Sequence, residues 1–313
     1  MPCNDSVLVT GAGGVLGTAL VKQLRAISQC SILAPSKSEL NCLDAQSVES
    51  YFSKHKPKQV FHLASLVYGI KGNINNQYAS FLQNITMSLN VLDACQNFEV
   101  DKVFYAGTVA SYAYPYKHMP LLEGDLLNGV AHRGEYGYAM AKRSALAQLE
   151  IMKEYHGVDY VYGVLTNLYG ENDKFDTENG HVIPSLIVKA HAAECNSFQH
   201  IFKVWGRPDV TRDFMYSADA ASAIILLMEK YSGTVNIGTG IETSMGELVD
   251  AIVRASPQSI SAEWQADKPV GIERRVSDVG ILKSLGYYPK FSLSEGIEKT
   301  FDWYRDNINK SRG

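Results

Sequence analysis

Short apolar runs and helical apolar patterns alternate along the first half of the chain. The run "SVLVTG" is β-branched and ends in glycine, and "VLGTALVKQLRAI" directly behind it has apolar residues at helical spacing. The order repeats, with strand-like runs in "CSILAP", "KQVFHLA", "DKVFYAG" and "DYVYGVLTN" and long helices predicted over about 78–97 and about 136–155. Alternating strands and helices form right-handed crossovers and a parallel sheet covered on both faces. The pattern therefore predicts a doubly wound, Rossmann-type α/β fold.

The alternation stops after Leu168. The next segment, "YGENDKFDTENGHVIP", is polar and rich in turn formers, and a helix is predicted from about Pro184. A helical pattern in "SADAASAIILLMEK" and a strand in "GTVNIGTG" return to the earlier rhythm, whereas the segments after Ser244 are short and mixed. We expect two domains. They are a dinucleotide-binding domain of residues 1–168 with about 214–240, and a smaller mixed substrate-binding domain of about 169–213 with 241–313.

Three glycines separate the first strand from the first helix. In "TGAGGVLG", Gly11, Gly14 and Gly17 have the spacing G-x-x-G-x-x-G. Glycine lets the backbone turn tightly and approach a pyrophosphate, whose charge is stabilised at the helix N-terminus. The motif in this position predicts a dinucleotide site that also includes Val15 and Leu16.

The end of the second strand carries the signal for NAD or NADP. An acidic residue there would bind the ribose 2′-hydroxyl and repel a 2′-phosphate. The sequence reads "ILAPSKSEL", so Ser36 and Lys37 come first and no acid appears before Glu39. A hydroxyl and an ammonium suit a phosphate, and the sequence therefore favours NADPH over NADH.

A tyrosine and a lysine four residues apart form the candidate catalytic pair. Tyr138 and Lys142 lie one helical turn apart and face the same side of a predicted helix. A nearby ammonium favours tyrosinate and lowers the pKa of the phenol, which makes the pair a usable general acid and base. Thr108, just beyond the fourth strand, is placed to hydrogen-bond the same carbonyl oxygen.

Composition and charge narrow the classes of partner. The formal net charge of −4 gives no reason to expect a nucleic acid or an anionic membrane. The longest apolar run, around 220–228, is far shorter than the ~20 residues of a membrane-spanning helix. The N-terminal segment shows no export signal, and the five cysteines lack CxxC or metal-like spacing. We expect a cytoplasmic protein with reduced thiols and no bound metal.

Beyond these motifs, the sequence resembles the extended short-chain dehydrogenases, and within them GDP-L-fucose synthase and related GDP-4-keto-6-deoxy-sugar reductases. The resemblance covers nearly the whole chain and is most specific in "YGYAMAK", "TNLYG", "HVIP" and "VWGRPDVTRDF". It implies that Tyr138 is the proton donor, that Thr108 supplies the catalytic hydroxyl and that Lys142 holds the nicotinamide ribose. It also implies a homodimer formed through a four-helix bundle of the two long helices.

The same resemblance assigns further binding residues. On the cofactor side it implies Asp44, Leu63, Ala64 and Asn167. Cations and an aromatic ring suit a diphosphate and a guanosine. The implied substrate is a GDP-sugar, either a hexose or a heptose, that is used for surface polysaccharide. The resemblance implies that the residues binding it are Thr108, Asn167, His181, Val182, Lys189, Trp205, Arg212 and Arg275.

One residue of the family pattern is missing. Fucose synthases invert C3 and C5 before they reduce C4, and in that family a Cys and the His of "HVIP" exchange the protons. This chain has His181, but Ala110 stands at the Cys position, and an alternative register places Tyr112 there. Ser111 or Tyr112 stays open as a substitute. We hypothesise a C4 reductase that does not invert C3 or C5, in which His181 hydrogen-bonds the sugar.

Three other functions remain open. The chain could be a bifunctional 3,5-epimerase/4-reductase of the fucose synthase type, or a UDP-sugar 4-epimerase that retains NAD and consumes no NADPH. Outside enzymes, it could be an NADPH-sensing binding protein, which would have no use for the catalytic set. A dehydratase is disfavoured, because it would need acidic residues where Val109 and Ala110 stand.

Overall fold

The first half of the chain alternates strands and helices, as the apolar pattern predicts. The computed structural model describes residues 6–178, 180–196, 198, 200–265 and 271–309, apart from the side chains of residues 70, 71 and 73. Both predicted long helices, α4 and α5, are confirmed. In chain order the elements are β1 (Ser6–Thr10), α1 (Val15–Ile27), β2 (Ser31–Leu33), α2 (Ala45–His55), β3 (Gln59–His62), α3 (Ile70–Asn75), α4 (Gln77–Asn97), β4 (Lys102–Thr108), α5 (Tyr136–His156) and β5 (Asp159–Leu165).

The second half has shorter strands and a less regular order. Two of its helices, α8 and α10, begin with a Ser and Glu capping box, which satisfies the first backbone N–H groups of each helix. The elements are β6 (Asn167–Tyr169), α6 (Val182–Glu194), β7 (Ile201–Trp205), β8 (Thr211–Arg212), β9 (Phe214–Tyr216), α7 (Ser217–Lys230), β10 (Gly233–Ile237), β11 (Thr243–Ser244), α8 (Met245–Ala255), β12 (Ser261–Gln265), β13 (Arg274–Arg275), α9 (Gly280–Ser284) and α10 (Leu293–Asn307).

A six-stranded parallel sheet organises the fold. Its strand order is β10-β5-β4-β3-β1-β2. The chain moves outward from β1 to β2 and then returns to β3 on the other side of β1, so the order reverses there. In such sheets ligands bind beyond the carboxyl ends of the strands at this reversal. The predicted doubly wound α/β fold is confirmed.

Three hydrophobic clusters bury the elements. Helices α2, α4 and α5 pack on one face of the main sheet, and α1, α7 and α9 pack on the other. A third cluster joins α6, α8 and α10 with β6, β7 and β9. Because this third cluster is separate and β10 joins the main sheet, the predicted division into two domains has support. The division itself stays a prediction.

Two kinds of feature are absent from the described part of the chain. None of its helices has both the length and the apolar character needed to cross a membrane. Nor does it hold a group of three or more His, Cys, Asp or Glu residues arranged for a metal ion.

Asp213 is a buried carboxylate that ties two segments together. It is fully buried, and its Oδ1 accepts hydrogen bonds from the backbone N (3.0 Å) and hydroxyl (2.6 Å) of Thr239. Its Oδ2 accepts one from Gly240 N at 3.1 Å. Because a buried polar group must be hydrogen-bonded, the carboxylate holds the loop after β10 against the segment between β8 and β9.

Replacing Asp213 with Ala should lower the free energy of unfolding by about 3 kcal/mol, because two partly buried backbone N–H groups and the Thr239 hydroxyl lose their acceptor. Urea denaturation measures the change. Asp209→Asn is the control, since that side chain is 68% exposed beside Arg207, and it should change stability by less than about 0.5 kcal/mol. Equal losses in both variants would contradict this role of Asp213.

Candidate active site

The glycine loop after β1 lies against the chain that follows β3. Gly11 has a φ of +68°, and a Cβ there would lie 2.7 Å from Ala64 N. A Cβ at Gly17 would lie 2.2 Å from Gly11 O. Ala64 N also donates to Thr10 Oγ1 at 3.3 Å. Only glycine permits these close approaches, so the loop and the residues after β3 form one wall of a cleft.

The start of α1 offers backbone N–H groups to an anion. Gly14 caps the helix without a side chain, and Val15 and Leu16 are its first residues. The first N–H groups of an α-helix lack intrahelical partners and carry the positive end of its dipole. Leu63, the neighbour of Ala64, donates its N–H to Thr10 O at 3.3 Å and so belongs to the same wall. The loop therefore fits the pyrophosphate of a dinucleotide.

The two predicted phosphate ligands differ in their surroundings. Ser36 donates its backbone N–H and its hydroxyl to Glu39 Oε2, at 2.8 and 2.7 Å. This pair shapes the turn after β2 in the way a capping box does, and it occupies both donors of Ser36. Lys37 is exposed beside it. Both residues are exposed, and Lys37 is the one that carries a charge.

Two other residues predicted beside the cofactor make structural contacts. Asp44 caps α2, because its Oδ1 accepts hydrogen bonds from Gln46 N at 3.0 Å and Ser47 N at 3.4 Å. Asn167, at the start of β6, donates from Nδ2 to Asp213 O at 3.1 Å. Each therefore positions a segment at the edge of the cleft.

A row of buried polar side chains crosses the main sheet. Thr10, His62, Tyr105 and Tyr162 are register partners on β1, β3, β4 and β5, and we call them the polar row. Thr10 Oγ1 lies 2.8 Å from His62 Nδ1, and the rings of His62 and Tyr105 are 5.4 Å apart. The rings of Tyr105 and Tyr162 stack at 5.6 Å. The polar row forms a continuous floor under α5.

Lys142 lies on this floor. Its Nζ is 4.7 Å from the ring centroid of Tyr105 and 5.7 Å from that of Tyr138, and Tyr162 donates its hydroxyl to Lys142 O at 3.2 Å. The side chain is almost fully buried, and burial lowers the pKa of Lys142 to about 7. Burial, together with this cation, lowers the pKa of His62 to about 3, so His62 is neutral.

Tyr138 keeps its proton at neutral pH. Burial raises the pKa of Tyr138 to about 12, and Glu135 adds to the rise, while hydrogen bonding to Ser65 and Thr108 opposes it. The sequence predicted a pKa lowered by Lys142. The structure gives the opposite direction, because desolvation of the phenolate outweighs the nearby charge. A protonated phenol is the form that a proton donor requires.

Thr108 ends β4 and is positioned to donate its hydroxyl proton. Its Oγ1 accepts a hydrogen bond from Ala110 N at 3.2 Å. The same hydroxyl is hydrogen-bonded to Tyr138, so the two side chains lie next to each other. The structure thus brings Thr108, Tyr138 and Lys142 together at the carboxyl edge of the sheet.

The residues considered as substitute proton carriers are buried. The exposed fraction is 4% for Ala110, 0% for Ser111 and 1% for Tyr112. Tyr112 donates its hydroxyl to Asn236 Oδ1 at 2.7 Å, and Arg143 donates to Ser111 O at 2.7 Å. These contacts hold the segment after Thr108 in the core, and neither hydroxyl opens onto the cleft.

His181, which precedes α6, faces a buried carboxylate. Its Nδ1 lies 3.5 Å from Oδ1 of Asp173, a residue that is 2% exposed. Burial alone would lower the pKa of His181, but the hydrogen bond and charge of Asp173 raise it above its ordinary value, against a small opposing effect of Lys174. The imidazole is therefore biased toward its charged form.

Lys189 and Trp205 form a separate cation and aromatic pair. The Lys189 Nζ is 5.2 Å from the Trp205 ring centroid, and Trp205 is about half exposed. Lys189 also lines a cavity of about 300 Å³ that includes Phe202 and Lys203. Val182 is partly exposed at the start of the same helix, α6. An exposed aromatic ring beside a cation suits a planar, charged ligand.

Arg212 and Arg275 are register partners on β8 and β13 but differ in their partners. Burial and the neighbouring Arg275 lower the pKa of Arg212 to about 10, and its Nη1 donates to Thr211 O at 2.7 Å. Arg275 is buried and donates to Tyr116 Oη at 2.7 Å and to both carboxylate oxygens of Glu135. An anion placed here would interact chiefly with Arg212.

Sequence reasoning missed four residues of this site: Ser65, Tyr116, Glu135 and Asp173. Glu135 carries a usable signal, because it lies one helical turn before Tyr138. Asp173 lies in the quoted segment "TNLYGENDKF", but nothing in its spacing points to His181. Ser65 and Tyr116 are single hydroxyls in loops, and only the folded chain identifies them.

Comparisons with known proteins identify a family and similar folds. The model of the NAD dependent epimerase/dehydratase family matches residues 7–238. The chain is 34% identical to GDP-L-fucose synthase 1 of Arabidopsis thaliana, over 97% of this chain and 94% of the relative. It is similar to a crystal structure of a GDP-6-OMe-4-keto-L-xylo-heptose reductase from C. jejuni, with a TM-score of 0.91 and 26% identity, covering 98% and 99% of the two chains. A GDP-mannoheptose C4 reductase from Campylobacter jejuni with NADP bound gives a TM-score of 0.86 and 26% identity, covering 97% and 99%.

Replacing Asp173 with Asn should lower the pKa of His181, because the charge that favours the imidazolium is removed. Lys174→Gln should shift it in the opposite direction, since the Lys174 cation lowers it. NMR titration of the imidazole Cε1–H measures both shifts, with His181→Gln to assign the signal. A pKa that is the same in all three proteins would refute the pairing.

Proposed function

The chain belongs to the NAD dependent epimerase/dehydratase family, and from that premise we propose that it reduces the C4 keto group of a GDP-4-keto-6-deoxy-sugar with NADPH. The sugar is a hexose or a heptose, and C3 and C5 keep their configuration. The product is a D-configured 6-deoxy sugar on GDP, suited to polysaccharide biosynthesis.

Several features support NADPH as the cofactor. The glycine loop and the start of α1 suit a pyrophosphate, and the exposed Lys37 suits a 2′-phosphate. One C4 reductase of similar fold has NADP bound. When bound, the cofactor supplies the hydride for C4. The glycine loop and Lys37 would hold the dinucleotide, and Lys142 would hold the nicotinamide ribose.

Proton transfer to the keto oxygen is assigned to Tyr138. The raised pKa of Tyr138, about 12, keeps the phenol protonated until hydride reaches C4 and the oxygen becomes basic. Thr108 donates a hydrogen bond to the same oxygen and orients it. Lys142, 5.7 Å from the Tyr138 ring, stabilises the phenolate that remains.

The proposal rests chiefly on the burial of residues 110–112, the segment after Thr108. Inversion at C3 and C5 requires two groups that remove and return protons on opposite faces of the ring. Ala110 has no ionisable group, and the hydroxyls of Ser111 and Tyr112 are buried. His181 is then a single carrier, and we assign it a hydrogen bond to the sugar from an imidazolium that Asp173 stabilises.

The nucleotide is assigned to residues of the second half of the chain. Lys189 and Trp205 suit the guanine base and its ribose, since the Lys189 ammonium lies against the exposed Trp205 ring and Lys189 lines an open cavity. Arg212 suits the diphosphate, because its guanidinium is beside a second arginine and the nearby Glu135 carboxylate is paired with that arginine.

A cytoplasmic location stays a prediction. Of the cysteines that the structure describes, Cys42, Cys95 and Cys195 are free thiols. Free thiols suit a reducing compartment.

The proposal is tested by running the reaction in heavy water with NADPH and GDP-4-keto-6-deoxymannose. We expect NADPH oxidation and a product without deuterium at C3 or C5, measured by NMR and compared with an enzyme-free sample that reports spontaneous exchange. Tyr138→Phe should lower kcat by a factor of about 10² to 10⁴, because the general acid is lost.

The other functions give different results in the same experiment. Deuterium at both C3 and C5 would identify a bifunctional epimerase/reductase and refute the stereochemical part of the proposal. Binding of NADPH without oxidation, with either the hexose or the heptose substrate, would refute the reductase.

The outer faces of α4 and α5 support a homodimer. Tyr78, Leu82 and Leu89 on α4 are 45–76% exposed, and Ile151 and Tyr155 on α5 are 54% and 70% exposed. They lie at helical spacing, so each helix presents an apolar strip. We propose that two copies bury these strips in a four-helix bundle.

Sedimentation velocity at micromolar concentration should show a dimer for the wild type and a monomer for Leu89→Glu, because the substitution places a charge in the apolar contact. Leu127→Glu is the control, since Leu127 is 47% exposed outside these helices, and it should remain dimeric. A wild-type monomer would refute the proposed assembly.

A further inference from the structure

A buried ion pair joins β13 to the start of α5. Arg275 is 7% exposed, and its Nη1 donates to Glu135 Oε1 at 3.3 Å while Nη2 donates to Oε2. Its Nε donates to Tyr116 Oη at 2.7 Å. A guanidinium and a carboxylate in this two-contact arrangement hold each other in orientation as well as in position.

The two ends of this pair lie beside different parts of the candidate site. Glu135 immediately precedes α5 and lies one turn before Tyr138. Arg275 is the register partner of Arg212, and its backbone O accepts a hydrogen bond from Asp213 N at 3.1 Å. The pair therefore connects the strand that holds Arg212 to the helix that holds Tyr138.

We propose that Glu135 and Arg275 form a positioning pair that couples the diphosphate-binding strands to Tyr138, so that a bound GDP-sugar and the proton donor are held in one geometry. This proposal rests on the proposed function. It reassigns Arg275 from a substrate ligand to a residue that acts through Glu135.

The contacts of Arg275 favour this role over direct binding of substrate. Three of its N–H groups are already directed to Glu135 and Tyr116, and almost none of the side chain reaches solvent. The pair also tunes the donor: the Glu135 carboxylate raises the pKa of Tyr138, and Arg275 places an opposite charge against that carboxylate. Removal of either partner changes both the position and the electrostatics of the helix start.

A double-mutant cycle tests the coupling. We expect Arg275→Gln and Glu135→Gln each to lower kcat roughly tenfold, because a small misplacement of the proton donor is costly, while the KM for GDP-4-keto-6-deoxymannose changes less than about threefold. The double variant should be no slower than Arg275→Gln, since both substitutions remove one interaction. With NADPH deuterated at the transferred position, the isotope effect on kcat should rise in the variants.

Arg274→Gln is the matched control. Arg274 lies on the same strand but is exposed, and it pairs with Glu242 at 2.6 and 2.7 Å. Its substitution should leave kcat, KM and the isotope effect unchanged. Circular dichroism shows whether Arg275→Gln folds. If it does not, the same kinetic measurements are made on Arg275→Lys and on the double variant Glu135→Gln/Arg275→Gln, in which both partners are neutral.

Each contrary outcome has a distinct meaning. A KM raised more than about tenfold by Arg275→Gln alone, with Glu135→Gln silent, would show that Arg275 binds the diphosphate and would overturn the pair. Additive losses of kcat without a larger isotope effect would reduce the pair to a structural contact. Wild-type enzyme that does not oxidise NADPH would overturn the proposed function and the catalytic role of the pair together.

Discussion

The burial of the Lys142 ammonium is the constraint on which the candidate site depends. Removing a cation from water is costly, and the fold offsets part of that cost with the face of Tyr105 and the stacked ring of Tyr162 beneath it. These rings meet only because β3, β4 and β5 pair in the observed register. A slip of one residue would turn Tyr105 to the other face of the sheet. The arrangement of side chains at the site therefore requires this strand register.

The same floor also joins α5 to the glycine loop. Thr10, at one end of the polar row, contacts His62 and accepts the N–H of Ala64, which lies against Gly11. At the other end, Tyr162 donates to the backbone of Lys142. A group bound at the glycine loop and a group bound at Tyr138 would thus be positioned by one continuous set of buried contacts.

Sequence reasoning found what local pattern encodes. Periodicity predicted the doubly wound sheet and both long helices. The glycine spacing and the Tyr138–Lys142 pair pointed to residues that lie at the carboxyl edge of the sheet. It did not find quantities set by contacts between distant residues. Burial reversed the expected pKa shift of Tyr138, Glu39 took both donors of Ser36, and Arg275 paired with Glu135 across 140 positions. No local spacing encodes these contacts, because each depends on how separate elements pack.

The proposal of reduction without inversion rests on the same kind of packing. Reduction at C4 needs one proton donor. The burial that raises the pKa of Tyr138 keeps its phenol protonated. Inversion needs a second carrier on the opposite face of the sugar. The segment that would supply it is drawn into the core by Asn236 and Arg143, residues far from it in sequence. In the proposed function, the core contacts beneath the site therefore matter as much to the stereochemical outcome as the identity of residue 110.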